Sequence, residues 1–466
     1  MNHYDCVIIG GGITGLAAAH RLKTLRPDAT FLLLEAGSRL GGIIATETVN
    51  GFTIEASADS FLSRKPEAVA LAEELGIRDR LQGPKPENHQ SWVLRYGQLH
   101  KIPEGLTGLI PANLKALTDN ALLCPEAVAR IQAETEVPPA DPNVDESVAD
   151  FVTRRMGREA FTNLIEPLMG GIFGGRADLL SLNATFPQLR KLEQEYGSLL
   201  RGLNANGNAT AHGANRKLPP FISFKGGMSE LVHTLHREIG EEHIRYEAQV
   251  GSIHEENGRY KITLKNSDQP IETKSVLNAT PSYAAAHILR SIDPDLSEAL
   301  DAIPYSSSSI VTLAFDENSL PRKPDGYGYI IPRVEGREAL ACTWTSAKWE
   351  NRAPDGKALF RVFLGRYGDN VDELDDRVLE KMALDELANT LGVTIHPEFV
   401  KIQRLPFAKP QYTIGHLDRI EKIRRLANQH KGLALAGAYF HGVGIPDCIR
   451  EGRKAAESLV LKAAVV

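Results

Sequence analysis

Three glycines near the N-terminus constrain this chain more than any other feature: Gly10, Gly12 and Gly15, spaced G-x-G-x-x-G. They stand between an apolar run, YDCVII at 4–9, and GLAAAHRLKTLR at 15–26. The first reads as a buried parallel strand and the second as a helix of good formers. Phe31 to Leu34 predicts a second strand. Strand, turn, helix and strand in about 30 residues make a β-α-β unit with a right-handed crossover. Gly10 allows the tight turn, Gly12 lets a pyrophosphate approach the backbone, and Gly15 permits close helix–sheet contact. The helix start, with Ile13 and Thr14, offers unpaired N–H groups to phosphates. Glu35 follows at the spacing that suits an adenosine ribose, with Ala36 beside it. A glycine turn with a solvated Glu is the competing reading, and the flanking strand and helix weigh against it.

The 466-residue length leaves room for two or three domains and a core that needs no staple. A net charge of −6 argues against a nucleic-acid binder working by phosphate neutralisation. Cys6, Cys124, Cys342 and Cys448 lie far apart, with no CxxC or HExxH pattern, so no metal site is expected and a reduced, cytoplasmic setting is the simplest reading. No run of 18 apolar residues suggests a membrane-spanning helix.

Further along, the leucines of 99–123 fall at helical spacing, interrupted by Pro111. Residues 148–168 read as helical with a break at Gly157, and 204–215 as a polar, Gly-rich mobile loop. A hairpin is expected at Asn257-Gly258. SVLNATP ends a strand at Pro281, residues 310–365 alternate strands and turns, and GLALAGAYF leads into a C-terminal helix with Pro446 in its first turn. Asp447 reads as a cap of that helix start. Strand–helix alternation at both ends suggests a nucleotide domain assembled from separated segments.

The sequence from Glu35 through Arg39 to Gly41 and Gly42 resembles the E-x-x-x-R-x-G-G loop of glutathione-reductase-like FAD proteins. The resemblance implies FAD as cofactor, with Arg39 near the pyrophosphate and the glycine pair making room for the flavin. It also implies backbone contact of Val250 with adenine. Four stretches sharpen it: ADSFLSRKPE (58–67), GGIFGGRADLLSLNATFPQL (170–189), AKPQYTIGH (408–416) and GAYFHGVGIPDCIREG (437–452). Together, in this order and across essentially the whole chain, they resemble the oxygen-dependent protoporphyrinogen oxidase family, which includes coproporphyrinogen III oxidases.

That resemblance implies an α/β fold: a Rossmann-like FAD domain (1–80, 221–300 and 401–466), a mixed-sheet substrate domain (81–98 and 301–400) and a helical domain (99–220). It implies oxidation of a porphyrinogen in heme biosynthesis, with electrons passing to FAD and then O2. Protoporphyrinogen IX is the first expectation for the substrate. Coproporphyrinogen III stays open, as do an amine oxidase or desaturase activity and a non-catalytic FAD-binding role. Ala56, Ser57, Ala58 and Asp59 would lie at the flavin. So would Val443, Gly444 and Ile445, where a helix start would favour negative charge on the reduced ring. No general base is assigned.

For the substrate, Arg95 matches a family Arg that binds a propionate, with a surface hairpin Arg as the other reading. Gly171, Gly174 and Gly175 match a loop that approaches the macrocycle. Arg176 departs from the pattern, standing where many relatives have Asp. Tyr329, Ile331 and Trp344 are either an apolar wall of the pocket or ordinary core. His100, Lys101 and Arg176 are candidate cations for a four-propionate substrate. The family also implies a homodimer by analogy. For the leucine-rich stretch, packing around a substrate channel is preferred to peripheral membrane docking.

Overall fold

A computed structural model describes residues 3–87, 90–103, 105–107, 109–111, 113–212 and 218–464. At its centre is a seven-stranded sheet. His3–Ile9 runs parallel to Phe31–Leu34 on one side and to Ser267–Asn278 on the other. Leu433–Leu435 joins the far edge of Ser267–Asn278, so strands from both ends and the middle of the chain share one sheet. Every residue from Cys6 to Ile9 is buried because both faces are covered. Cys6 and Ile8 face helices Ile13–Leu25, Ser229–Ile239 and Ile445–Ala464. Val7 and Ile9 face Ser282–Leu289, Pro294–Asp301 and His416–Ala427. The expected hairpin is present, with Asn257 and Gly258 both at positive φ (54° and 72°), the pair that a two-residue turn requires.

A second seven-stranded sheet runs in the order 399–410, 305–316, 357–364, 339–344, 328–330, 91–95 and 98–101. Helix Asp376–Leu391 covers one face. Two of its strands pass the expected segment ends: Gln98–Lys101 continues beyond residue 98, and Phe399–Pro410 belongs to this sheet although 401–466 was expected in the other.

The third unit is helical. Val148–Met156 ends at Gly157 as expected, and Glu166–Phe173 ends at Gly174 in the left-handed conformation. Across the described residues of 99–123 the expected interruption at Pro111 is present: the backbone forms short strands, including Ile110–Pro111, and a brief helix Leu114–Thr118, with Leu109, Ile110 and Leu117 buried in the helical core. Pro111 has no N–H for a continuous helix. One expectation in this unit is corrected. The polar 204–215 stretch continues helix Leu199–His212 instead of looping, since Asn and Ala tolerate helical φ and ψ once a buried first turn is in place, here Leu199 and Leu200; 213–215 lie outside the described residues. No helix among the described residues is long and apolar enough to cross a membrane.

Candidate active site

One cavity of about 1290 Å³ lies where the three units meet. Its first wall is the glycine turn. Gly10 adopts φ +102°, and a Cβ on Gly15 would fall 1.9 Å from the Gly10 carbonyl oxygen, so glycine at 15 is required by helix–strand packing. A Cβ on Gly12 would meet nothing within 4 Å. No protein packing demands glycine there, and the space it keeps clear belongs to the cavity.

The second glycine pair folds against the first. Gly41 N–H donates to the Gly11 carbonyl at 2.8 Å, and a Cβ on Gly42 would touch Gly12 Cα at 3.3 Å. Arg39 fastens this loop by donating to the carbonyls of Leu40, Gly42 and Ile44. Its side chain is exposed and does not line the cavity. Glu35 does line it. Its carboxylate accepts the Gly11 and Gly37 N–H groups, both at 2.7 Å, which fixes its position and leaves lone pairs over.

Ile13, Thr14, Ala36, Ser57, Ala58, Val250, Val443, Gly444 and Ile445 complete the expected set that lines the cavity. Ser57 Oγ is buried there without a hydrogen-bond partner among the described residues. Ala56 and Asp59 lie behind the wall. Burial would raise the Asp59 carboxyl, but Lys348 and Arg361 outweigh it and hold the group below the ordinary carboxylate range; Trp349 Nε1–H donates to it at 2.9 Å. Open space above Gly12, an orphaned Ser57 hydroxyl and a ribose-ready Glu35 suit a dinucleotide.

The C-terminal helix start borders the same space, but Asp447 is not its cap. Asp447 is buried and accepts Lys65 Nζ at 2.5 Å and Arg450 Nη1 at 3.0 Å. A Cβ on Gly442 would collide with this carboxylate. Tyr412, which the sequence reading did not single out, joins two of the quoted stretches. Its hydroxyl donates to the Ala438 carbonyl and accepts the Gly442 N–H at 2.8 Å. Its signal was there: one tyrosine in PQYTIGH, a stretch that carries the family resemblance together with GVGIPDCI.

The opposite wall is apolar, with Ile310, Phe363 and Leu405 from the second sheet and Phe173, Phe186 and Tyr412 as an aromatic cluster. Gly171 lines it; Gly174 and Gly175 lie behind, where a Cβ on Gly175 would strike Gln411. Tyr329, Ile331 and Trp344 are not on this wall. They pack on the other face of the second sheet, in the core with Leu379 and Ala383. Ile330, one residue over, shares the face of Phe363 through Ala341.

Arg95 is also away from the cavity: it pairs with Glu335 at 2.6 Å and donates to Asn163 at 3.1 Å. Arg176 pairs with Asp178 at 2.5 Å, and His100 bonds the Arg95 carbonyl. Lys101 lies over Trp92. Among the described residues the acids lining the cavity are Glu35 and Asp447, against Arg64, Lys65, Lys265 and Lys409.

Comparison with known proteins adds to this geometry. The family model described as flavin containing amine oxidoreductase matches residues 13–460. The coproporphyrinogen III oxidase of Bacillus subtilis is 34% identical over 460 residues, covering 96% of each chain. Protoporphyrinogen oxidase 1, chloroplastic, of Arabidopsis thaliana is 29% identical over 479 residues, covering 96% of this chain and 86% of its own. A crystal structure from Exiguobacterium sp. 255-15 superposes with a TM-score of 0.86 at 34% identity, covering 99% of each chain.

Proposed function

Because the chain belongs to the flavin containing amine oxidoreductase family and its cofactor is FAD, we propose that it oxidises a porphyrinogen to the corresponding porphyrin. The observation that carries this reading is one continuous cavity, about 1290 Å³, running from the glycine turn to an apolar aromatic wall. It exceeds the roughly 300–1,000 Å³ of a site for one drug-sized ligand. The excess suits a flavin with a flat macrocycle beside it. The names of the relatives supply the ligand class.

Gly12, Thr14, Glu35 and the Gly41–Gly42 loop would hold the dinucleotide, and Ser57, Val443, Gly444 and Ile445 would border its ring. Bound there, FAD would supply a two-electron acceptor, with O2 as the terminal oxidant. Full conversion of a porphyrinogen removes six electrons and six protons, so three such rounds consume three O2 and yield three H2O2. The chain's own residues position rather than titrate. Phe173, Phe186 and Phe363 orient the macrocycle and exclude water, which matters because aromatisation already drives the chemistry. Glu35 is committed to amides and Asp447 to Lys65 and Arg450, so neither is cast as a base.

Coproporphyrinogen III, with four propionates, is the preferred substrate in this reading. Two things support it over protoporphyrinogen IX, the first expectation from the sequence: the excess of cations over acids around the cavity as a whole and the higher identity to a coproporphyrinogen III oxidase. The test is anaerobic. The yellow protein is mixed separately with each porphyrinogen while flavin bleaching and porphyrin fluorescence are followed. Faster bleaching by coproporphyrinogen III is expected. Preference for protoporphyrinogen IX would reverse the assignment, and bleaching by neither would leave only the FAD fold.

A further inference from the structure

The wall that the second sheet presents to the cavity runs through Tyr305, Ser308, Ile310, Phe363 and Leu405, and among its described residues Lys409 is the only charged one. Strand Phe399–Pro410 is held there by Gln411. Its Nε2 donates to the Phe173 carbonyl at 3.0 Å, to Ser306 Oγ at 3.0 Å and to the Lys409 carbonyl at 3.1 Å. The backbone of Lys409 is thus fixed against the end of helix Glu166–Phe173. Its ammonium reaches the same place: a Cβ built on Gly174 would lie 3.7 Å from Lys409 Nζ.

Of the other cations lining the cavity, Arg64 and Lys265 are exposed to solvent, whereas Lys65 and the two arginines expected at the substrate have carboxylates. Lys65 has Asp447 at 2.5 Å, Arg95 has Glu335 at 2.6 Å, and Arg176 has Asp178 at 2.5 Å. Lys409 has no such partner among the described residues, and burial alone draws its ammonium below the ordinary lysine value. A partly buried ammonium beside the cavity without a counterion costs the free protein, and a ligand carboxylate there removes that cost.

We propose that Lys409 receives a propionate at the edge of the macrocycle facing strand Phe399–Pro410, and that it makes this pocket prefer a four-carboxylate ring to a two-carboxylate one. The assignment rests on the porphyrinogen reading above. It gives Lys409 a specificity role and no part in the hydride step. Lysine suits the task as a compact charge with three rotatable donors that follow a flexible propionate.

The experiment compares wild type, Lys409→Met and Lys409→Arg. Met keeps most of the apolar stem and removes the charge. With coproporphyrinogen III, KM is expected to rise about ten-fold in Lys409→Met, the scale of one lost charge-assisted bond, and to recover largely in Lys409→Arg. With protoporphyrinogen IX, KM should stay within about two-fold, as should kcat and flavin content. Equal KM rises for both substrates, or no rise for either, would overturn the proposal. A loss of thermal stability without a KM split would assign Lys409 to the helix end instead. Equilibrium binding of coproporphyrin III and protoporphyrin IX is measured on the same proteins. If wild type oxidises neither porphyrinogen, the functional reading fails by itself. Binding then decides Lys409: coproporphyrin III affinity lowered in Lys409→Met upholds its role as a carboxylate site, and an unchanged affinity ends it.

Discussion

At Gly15 a single methyl group decides whether the site exists, since its Cβ would fall 1.9 Å from the Gly10 carbonyl. Gly15→Ala is expected to cost about 1–3 kcal/mol by overpacking and to cut flavin absorbance per mole of purified protein. Gly12→Ala meets no protein atom, so it should leave the melting temperature of the FAD-free protein unchanged and still weaken FAD binding. Comparing the two variants separates packing from ligand clearance. His416 offers a pH test. It is buried, stacked on Tyr412 at 4.3 Å, and burial, with Arg419 adding, lowers its pKa from 6.5 to about 4. Between those values the unfolded chain binds a proton that the folded one refuses. Stability is therefore full above pH 6.5 and falls as pH drops towards 4, by on the order of 3 kcal/mol from this group. Denaturant midpoints over that range should slope upward with pH, and His416→Gln should flatten the slope.

Elements explain how much the sequence disclosed. The cofactor half was legible because its logic is local: G-x-G-x-x-G, Glu35 and the Gly41–Gly42 pair lie within one β-α-β unit, and all of them meet in the structure. The substrate half depends on pairing between distant strands. Tyr329 and Trp344 belong to correctly expected strands, yet a side chain's face follows from register, and one position separates the two faces of the sheet. Phe363 and Ile310 are set opposite one another only by the pairing of 305–316 with 357–364, which no short motif records. Arg95 fitted its expected chemistry and found Glu335, 240 positions away. The helical unit hides a comparable long-range device: Arg155 is fully buried between Glu134 and Glu193. Arg155→Met should lower stability by about 3–5 kcal/mol, read from a urea midpoint, because it strands buried carboxylates.

Over the whole molecule, three units share one ligand space, so cofactor and fold are coupled. Removing FAD should lower the melting temperature, and adding it back at about 100 times its Kd should restore about 2.7 kcal/mol, measured by titrated thermal unfolding. The flavin sheet also has an order of assembly. His3–Ile9 pairs with a strand ending at Asn278, which in turn pairs with Leu433–Leu435, and helix Ile445–Ala464 closes the face above them. On a ribosome adding about 5–20 residues per second, the first strand emerges within seconds and its sheet waits on the order of a minute for the rest. Until the last helix clears the exit tunnel, the nascent chain carries a glycine turn with no vessel around it. Every early termination upstream of residue 433 is therefore born without the means to keep its flavin, and quality control meets an open sheet edge instead of a yellow protein.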